Sequence, residues 1–294
     1  MKNMLFIINP SAGRKYIKSK LFEIVDIFTK AGYYVNVYPT QDSGDAGTII
    51  KRESMHYDMI ACSGGDGTLD EVVTGYMESG CDIPLGYIPA GTTNDFARSL
   101  RIPKDPIIAA KRIVKYKPFQ IDIGSLNGNY FVYLAAFGAF TEVSYVTSQR
   151  MKNYLGRVAY VLEGVKSLTS LTSYYVEIEH DGVFASGNYI YGMVTNSLSV
   201  GGLNSLNSWH VVFDDGLFEA VLIKRPDNAI ELQGIITSLM LNEINEDYMY
   251  HFKGKNIKIH CDGGIPWTLD GEFGGMHMDA WILNHQKALK IIKK

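Results

Sequence analysis

Asp58-Met59-Ile60-Ala61-Cys62-Ser63-Gly64-Gly65-Asp66-Gly67-Thr68 is the stretch on which the reading of this chain turns. Asp58–Cys62 is a short apolar run of the kind that makes a buried strand, and it runs straight into a glycine string. Leu69 to Met77 then reads as helix. A strand that meets a helix through glycines sets the free N–H groups of the first helical turn at a sheet's carboxyl edge. That terminus favours an anion by about 0.3–1 kcal/mol, and glycines let the backbone approach it closely. Phosphate is the expected guest. Asp66 would repel it unless a cation stood between them, so Mg²⁺ bridging carboxylate and phosphate is expected there too. A tight turn without ligand is the alternative, and a lone glycine pair would favour it.

Outward from this stretch, strand and helix alternate. Met4–Ile8 is a strand closed by Asn9-Pro10, and Ile17, Leu21, Ile24, Val25, Phe28 and Ala31 repeat at helical spacing until Gly32. Tyr33–Tyr38 and Leu85–Ile88 read as further strands, and Asn94 to Leu100 as a short helix. This alternation predicts an α/β layer with a mainly parallel sheet. Two other polar, glycine-bearing turns follow strands at the same edge: Asn9-Pro10-Ser11-Ala12-Gly13 and Pro89-Ala90-Gly91-Thr92-Thr93-Asn94-Asp95-Phe96-Ala97-Arg98. Together they outline a nucleotide cleft, where open α/β sheets bind ligands. As plain helix caps, Asn94 or Asp95 would need no ligand. Arg14, Lys15, Lys18 and Lys20 read equally well as anion-steering charges or as a solvated helix face.

From about Gln120 the rhythm changes. Ile121–Leu126 and Tyr130–Ala136 resemble strands around the hairpin signal Asn127-Gly128-Asn129. A helix over Gly156–Leu171 is expected, then strands at Tyr174–His180, Tyr189–Thr195, Leu217–Ile223 and Asn256–Cys261, with a helix near Asp227–Met240. An all-β sandwich is the expected second domain. The expected division is 1–122 against 123–283, with 284–294 a tail that returns to the first domain.

Composition excludes several classes. At 294 residues, 46% hydrophobic, 20% charged and net charge −3, the chain is globular and has no basic field that announces nucleic acid. Cys62, Cys81 and Cys261 have neither metal spacing nor the density of a disulfide framework, which suits a reducing cytoplasm. The uncharged stretches Gly124–Thr141 and Gly182–Trp209 are too rich in Gly, Asn and Ser to span a bilayer. His180, His210, His251, His260, His277 and His285 show no spacing that demands zinc.

In order along the chain, Asn9–Gly13, Gly64-Gly65-Asp66-Gly67-Thr68, Gly91–Arg98, Asp214-Asp215-Gly216-Leu217 and Leu269-Asp270-Gly271-Glu272 resemble the bacterial diacylglycerol-kinase-like lipid kinases, which are related to sphingosine kinases. The likeness covers essentially the whole chain. It implies a phosphofructokinase-like N-terminal domain, a β-sandwich C-terminal domain and ATP in the cleft between them. By resemblance, ATP is held by Asn9, Pro10, Ser11, Ala12, Gly13, Thr40, Gly65, Asp66, Gly67, Thr68, Leu69, Asp70, Glu71 and Thr92. Glu272 is implied as the general base, with Asp66 and Asp95 organising the catalytic Mg²⁺. A structural Mg²⁺ is implied at Asp215 and the carbonyls of Val212 and Leu217. The resemblance also implies transient contact of a cytoplasmic enzyme with a membrane surface. It leaves the oligomeric state open, a homodimer included.

A carboxylate base suits the chemistry, because a lipid hydroxyl is a poor nucleophile until its proton is taken. Two positions depart from the family pattern: Asp70 replaces the usual asparagine, and Asn207-Ser208-Trp209-His210 replaces the usual Pro-x-Ala upstream of Asp215. Arg150, Lys152 and Arg157, with Met151, Tyr154 and Leu155 among them, offer basic and apolar groups to an anionic bilayer or, equally, a helix edge packed on its neighbour. The Tyr130–Tyr133 and Tyr189–Tyr191 stretches read as core and rim. Beside a diacylglycerol kinase stand two alternatives, a soluble-metabolite kinase such as an NAD kinase and a non-catalytic nucleotide-binding relative.

Overall fold

The computed structural model describes residues 1–12, 16–138, 171–196, 199–200, 203–204, 211–241 and 243–293. The chain divides into two compact units, Met1–Asp122 with Lys287–Lys294, and Ile123–Gln286. The first is an α/β unit and the second is β-rich. The helix expected over Gly156–Leu171 lies, but for its last residue, outside the described residues.

In unit 1 the elements run β1 (Lys2–Ile8), α1 (Tyr16–Lys30), β2 (Tyr33–Pro39), α2 (Asp45–Glu53), β3 (Met59–Gly64), α3 (Asp66–Glu78), β4 (Leu85–Pro89), α4 (Asp95–Ser99) and α5 (Pro106–Lys115). The strands pair in the order β4-β3-β1-β2, and each of these pairs is parallel. Parallel strands are covered on both faces, which is why β1, β3 and β4 are nearly continuous apolar runs. Helix α1 lays Ile17, Ile24 and Phe28 on Met4, Phe6 and Met59, with the rings of Phe6 and Phe28 edge to face at 5.5 Å. Gly32 ends it at φ 93°, its N–H reaching the Thr29 carbonyl. Two helices lack a counterpart among the expected elements, α2 and α5. The second has plain local causes: Asp105 accepts the amides of Ile107 and Ile108, and Pro106 opens the helix. From Lys287 the chain rejoins unit 1, where the buried Asp122 accepts the Lys287 amide at 2.8 Å and Ile291 pairs with Leu85.

Strand β5 (Pro118–Leu126) leads into unit 2, where β6 (Asn129–Phe131), β7 (Leu134–Gly138), β8 (Tyr174–His180), β9 (Val183–Thr195), β10 (Ser199–Val200), β11 (Leu203–Asn204) and β12 (Phe218–Lys224) follow. Helix α6 (Ala229–Leu241) precedes β13 (Met249–Gly254), β14 (Asn256–Leu269) and β15 (Glu272–Ile292). Asn228 caps α6 by accepting the Ile230 and Glu231 amides, and the Glu231 carboxylate accepts the Asp227 amide just ahead of it. Both β7 and β8 pair antiparallel with β9 and β14, each at a different stretch, so one hydrogen-bonded set of strands wraps a single core. Trp267, Phe137, Phe131, Phe218 and Ile259 fill it. Tyr133, Tyr189 and Tyr191 are buried, while Tyr130 is half-buried.

Among the described residues, three two-residue turns close hairpins in this unit: Asn127-Gly128, Asp181-Gly182 and Asp270-Gly271. Every one has positive φ at both residues, the type I′ geometry that suits the strand twist. The strand expected over Tyr130–Ala136 is instead broken at Val132-Tyr133. The amides of Val132, Tyr133 and Leu134 turn together onto the Asp270 carboxylate, and no ladder can run through them.

Candidate active site

Unit 1 gathers four of its turns at one sheet edge. Strand β1 lies between β2 and β3, so the connections leave in opposite directions and open a crevice at their carboxyl ends. Asn9 follows β1, and its amide donates to the Ser63 carbonyl at 2.8 Å. Its side-chain nitrogen donates to Thr68 Oγ1 at 2.9 Å, and its Oδ1 accepts the Ser11 amide. Thr40 follows β2 and donates its amide to the Ile8 carbonyl. The Gly64 carbonyl accepts both the Ala90 amide and the buried Tyr87 hydroxyl. A Cβ on Gly91 would sit 2.7 Å from the Gly65 Cα, so these turns approach as only glycines can.

Asp66 stands in the first turn of α3, not in a loop ahead of a helix at Leu69. Gly64 is the last residue of β3 and Gly65 the N-cap, so strand and helix abut. Burial raises the Asp66 pKa from its usual value, against the amides of Asp95, Asn94 and Phe96 and the charge of Arg98, which pull it down. Those three amides open α4, a helix whose own cap residue Asn94 makes no side-chain capping bond. Asp66 thus faces the amides at the start of a neighbouring helix. Its Oδ1 is buried and has no hydrogen-bond partner among the described residues. A sheltered carboxylate oxygen left open in this way fits a divalent cation, which would supply the charge that burial withholds. Asp95, the first residue of α4, is buried beside it.

The remaining residues expected to hold the nucleotide spread over this edge. Ser11, Gly67 and Thr92 are exposed, and nothing lies within 4 Å of where a Gly67 Cβ would be. Pro10 and Ala12 are half-buried on the turn after β1, while Gly13, Arg14 and Lys15 lie outside the described residues. The Leu69 side chain belongs to the core, and its amide closes onto the Gly65 carbonyl. Asp70 is half-buried one residue further along α3, and Glu71 accepts the Ser43 hydroxyl. A cavity of about 210 Å³ opens here, lined by Ile17, Pro89, Ala90, Gly91, Asn94, Lys104 and Pro106. Lys104 is the residue that motif reasoning missed. It lies beyond the Gly91–Arg98 string, and only the fold brings it to the cavity wall.

In unit 2, Glu272 is exposed as the first residue of β15, paired with Leu269 across the Asp270-Gly271 turn. The Asp270 carboxylate takes the amides of Tyr133 at 3.0 Å and Leu134 at 2.8 Å as well as that of Val132. The Tyr133 hydroxyl donates back to the Asp270 carbonyl. Val212, Asp215 and Leu217 share one turn, where the Asp215 carboxylate accepts the Leu217 amide at 3.0 Å. Nearby Glu219 is buried with Lys253 at 2.9 Å, and burial pushes its carboxyl up to about 7.

Arg150, Lys152 and Arg157 with their apolar neighbours, and Asn207–His210, lie outside the described residues. Among the described residues there is no cluster of three His, Cys, Asp or Glu side chains that would hold a metal unaided. No described helix is long and apolar enough to cross a membrane.

Comparison with known proteins adds an independent line. A family model, the diacylglycerol kinase catalytic domain, matches residues 3–126. Diacylglycerol kinase from Bacillus subtilis (strain 168) is 36% identical over 278 residues, 94% of this chain and 91% of that protein. Diacylglycerol kinase from Staphylococcus carnosus (strain TM300) is 35% identical over 292 residues, 99% of this chain and 94% of its own length. A crystal structure of a diacylglycerol kinase from Bacillus anthracis str. Sterne matches all of this chain and 97% of its own, with a TM-score of 0.78 at 25% identity.

Proposed function

The chain belongs to the diacylglycerol kinase family, and from that premise we propose that it transfers the γ-phosphate of ATP to a lipid hydroxyl, converting diacylglycerol to phosphatidic acid. The observation that carries the ATP side of this reading is the open, buried Oδ1 of Asp66 at the point where the glycine turns meet.

In this reading the turn at Asn9–Gly13, Thr40, the Gly65–Glu71 stretch and Thr92 bind ATP. The first-turn amides of α3 face its phosphates with the positive end of a helix dipole. Asp66 and Asp95 hold Mg²⁺, which when bound offsets the negative charge of the phosphate oxygens. Glu272 accepts the proton of the lipid hydroxyl. As it does so, the hydroxyl oxygen bonds to the γ-phosphorus, the bridging P–O bond to the β-phosphate breaks, and ADP leaves. A structural cation on the Asp215 turn, with the carbonyls of Val212 and Leu217, belongs to the same reading and takes no part in the chemistry.

The test is direct. Purified protein with ATP, Mg²⁺ and diacylglycerol in mixed micelles is expected to make phosphatidic acid, and Glu272→Gln to cut turnover to a small residual rate while still binding ATP. Phosphorylation of NAD with no lipid product would overturn the lipid assignment. Full activity in Glu272→Gln would remove the base.

A further inference from the structure

We propose that Asp270 is a positioning residue for the base. It fixes the hairpin tip that carries Glu272 by taking three consecutive backbone amides, those of Val132, Tyr133 and Leu134. The inference rests on the reading of Glu272 as proton acceptor and adds how that carboxylate is held.

The motif Asp-Gly-Glu gives the aspartate no work beyond a turn, because a type I′ turn needs only positive φ at two residues. Asp270 and Gly271 supply that, at 49° and 97°. The ladder reaches as far as Leu269, which pairs with both Glu272 and Ala135 of β7, but Asp270 and Gly271 lie beyond its last pair and the turn alone does not hold them. Asp270 makes the tip part of the unit's frame. Its carboxylate collects the three amides, its own amide donates to the Leu134 carbonyl, and its carbonyl accepts the Tyr133 hydroxyl. The bend so captured is anchored further, since the Tyr133 carbonyl accepts the Thr195 hydroxyl at 2.6 Å and the Asn196 amide. Thr195 is buried at the end of β9. An unbroken path therefore runs from a core strand, through Tyr133, to the residue two before the base.

This arrangement has a cost that a turn would not demand. It breaks the strand that would otherwise continue from β6 into β7, leaving three adjacent amides dependent on one carboxylate. A base must be held to a fraction of an ångström, and a displacement of about 1 Å costs on the order of 10²-fold in rate. Surrendering a stretch of ladder for a rigid tip makes sense in that light. Tyr133 is the second member of the device, since its hydroxyl holds the backbone of the tip while its amide holds the side chain.

Asp270→Asn tests this because it keeps the size and one oxygen acceptor while turning an N–H group toward amides that need an acceptor. In the full-length protein, kcat is expected to fall about 10- to 100-fold with KM for ATP unchanged. Tyr133→Phe should lower kcat more mildly, and Asp270→Glu should not rescue, because the longer side chain misplaces its oxygens. The decisive measurement is the double variant. In a Glu272→Gln background, Asp270→Asn should leave the residual rate where it was, because a positioning residue acts only through the group it positions. A further fall in the double variant, or wild-type kcat in Asp270→Asn, overturns the inference and leaves Glu272 as base. Full activity in Glu272→Gln itself brings down the underlying reading instead. Should Asp270→Asn fail to fold, Tyr133→Phe is carried through the same cycle, with the same two outcomes.

Discussion

Asn9 and Thr68 lie 59 positions apart in the chain, yet Nδ2 of one donates to Oγ1 of the other at 2.9 Å. This bond ties the turn after β1 to the first turn of α3, so the two segments that would meet a triphosphate are set in register before any ligand arrives. Preorganisation of this kind lowers the ordering cost of binding.

Asn9→Ala removes both that bond and the Oδ1 acceptor of the Ser11 amide. Losing two hydrogen bonds of about 0.5–1.5 kcal/mol each is expected to raise KM for ATP by roughly 5-fold to, at most, about 150-fold. The lipid KM should stay put. Steady-state kinetics with ATP and diacylglycerol varied in turn checks both halves.

Gly91→Ala probes the close approach of the turns after β3 and β4. The new methyl would meet the Gly65 Cα at 2.7 Å and Asn94 Oδ1 at 2.8 Å, and backbone cannot swing aside as a side chain can. A loss of about 1–3 kcal/mol of stability is expected, with weakened ATP binding. Gly67→Ala is the control for stability alone, because nothing in the protein lies near its would-be Cβ while Gly67 itself belongs to the proposed ATP site. Chemical denaturation of both variants, with ATP affinity from calorimetry, separates a steric cause from a general dislike of substitution in this string.

What the sequence makes legible follows from how local each cause is. The strand-to-helix glycine turns and the Asn127-Gly128 and Asp270-Gly271 hairpins rest on neighbouring residues, and they stand where their residues put them. Helix α2 is different. It holds Gly47, a poor helix former, because a Cβ there would strike the Glu71 carbonyl at 2.8 Å and one on Gly75 would strike Gly47 in turn. The glycine that weakens the local signal is demanded by a helix crossing that only the fold reveals. The same holds at Asp66, which faces amides about thirty residues away, and at Tyr133, whose amide meets a carboxylate 137 positions distant.

Asp66→Asn keeps the shape of the side chain and an acceptor for the amides that open α4, while removing the charge. If the open Oδ1 is a cation ligand, turnover should fall roughly 10²-fold or more with the fold intact, since metal charge stabilisation is worth several kcal/mol. Raising Mg²⁺ should not restore it. Kinetics across a Mg²⁺ series, with circular dichroism as the check on folding, decides. Normal turnover at ordinary Mg²⁺ would leave Asp66 as a partner of those amides alone.

His180 gives unit 2 a pH dependence of known sign. Its ring is buried, stacked on Phe252 at 3.8 Å and 10°, with Nε2 2.8 Å from the Tyr250 hydroxyl. Burial lowers its pKa from 6.5, opposed by the charge of Asp181. The unfolded chain therefore takes up the proton first as pH falls, so the stabilising contribution is present above about 6.5 and lost below it. All three tryptophans of the chain, Trp209, Trp267 and Trp281, belong to unit 2, so their fluorescence follows this unit alone. Urea melts at pH 7.5 and 5.5 should show wild type losing more stability on acidification than His180→Gln does, the other titrating groups cancelling in the comparison. Equal losses would mean that the imidazole charges without penalty. The stack on Phe252 would then have to open readily enough to let water in.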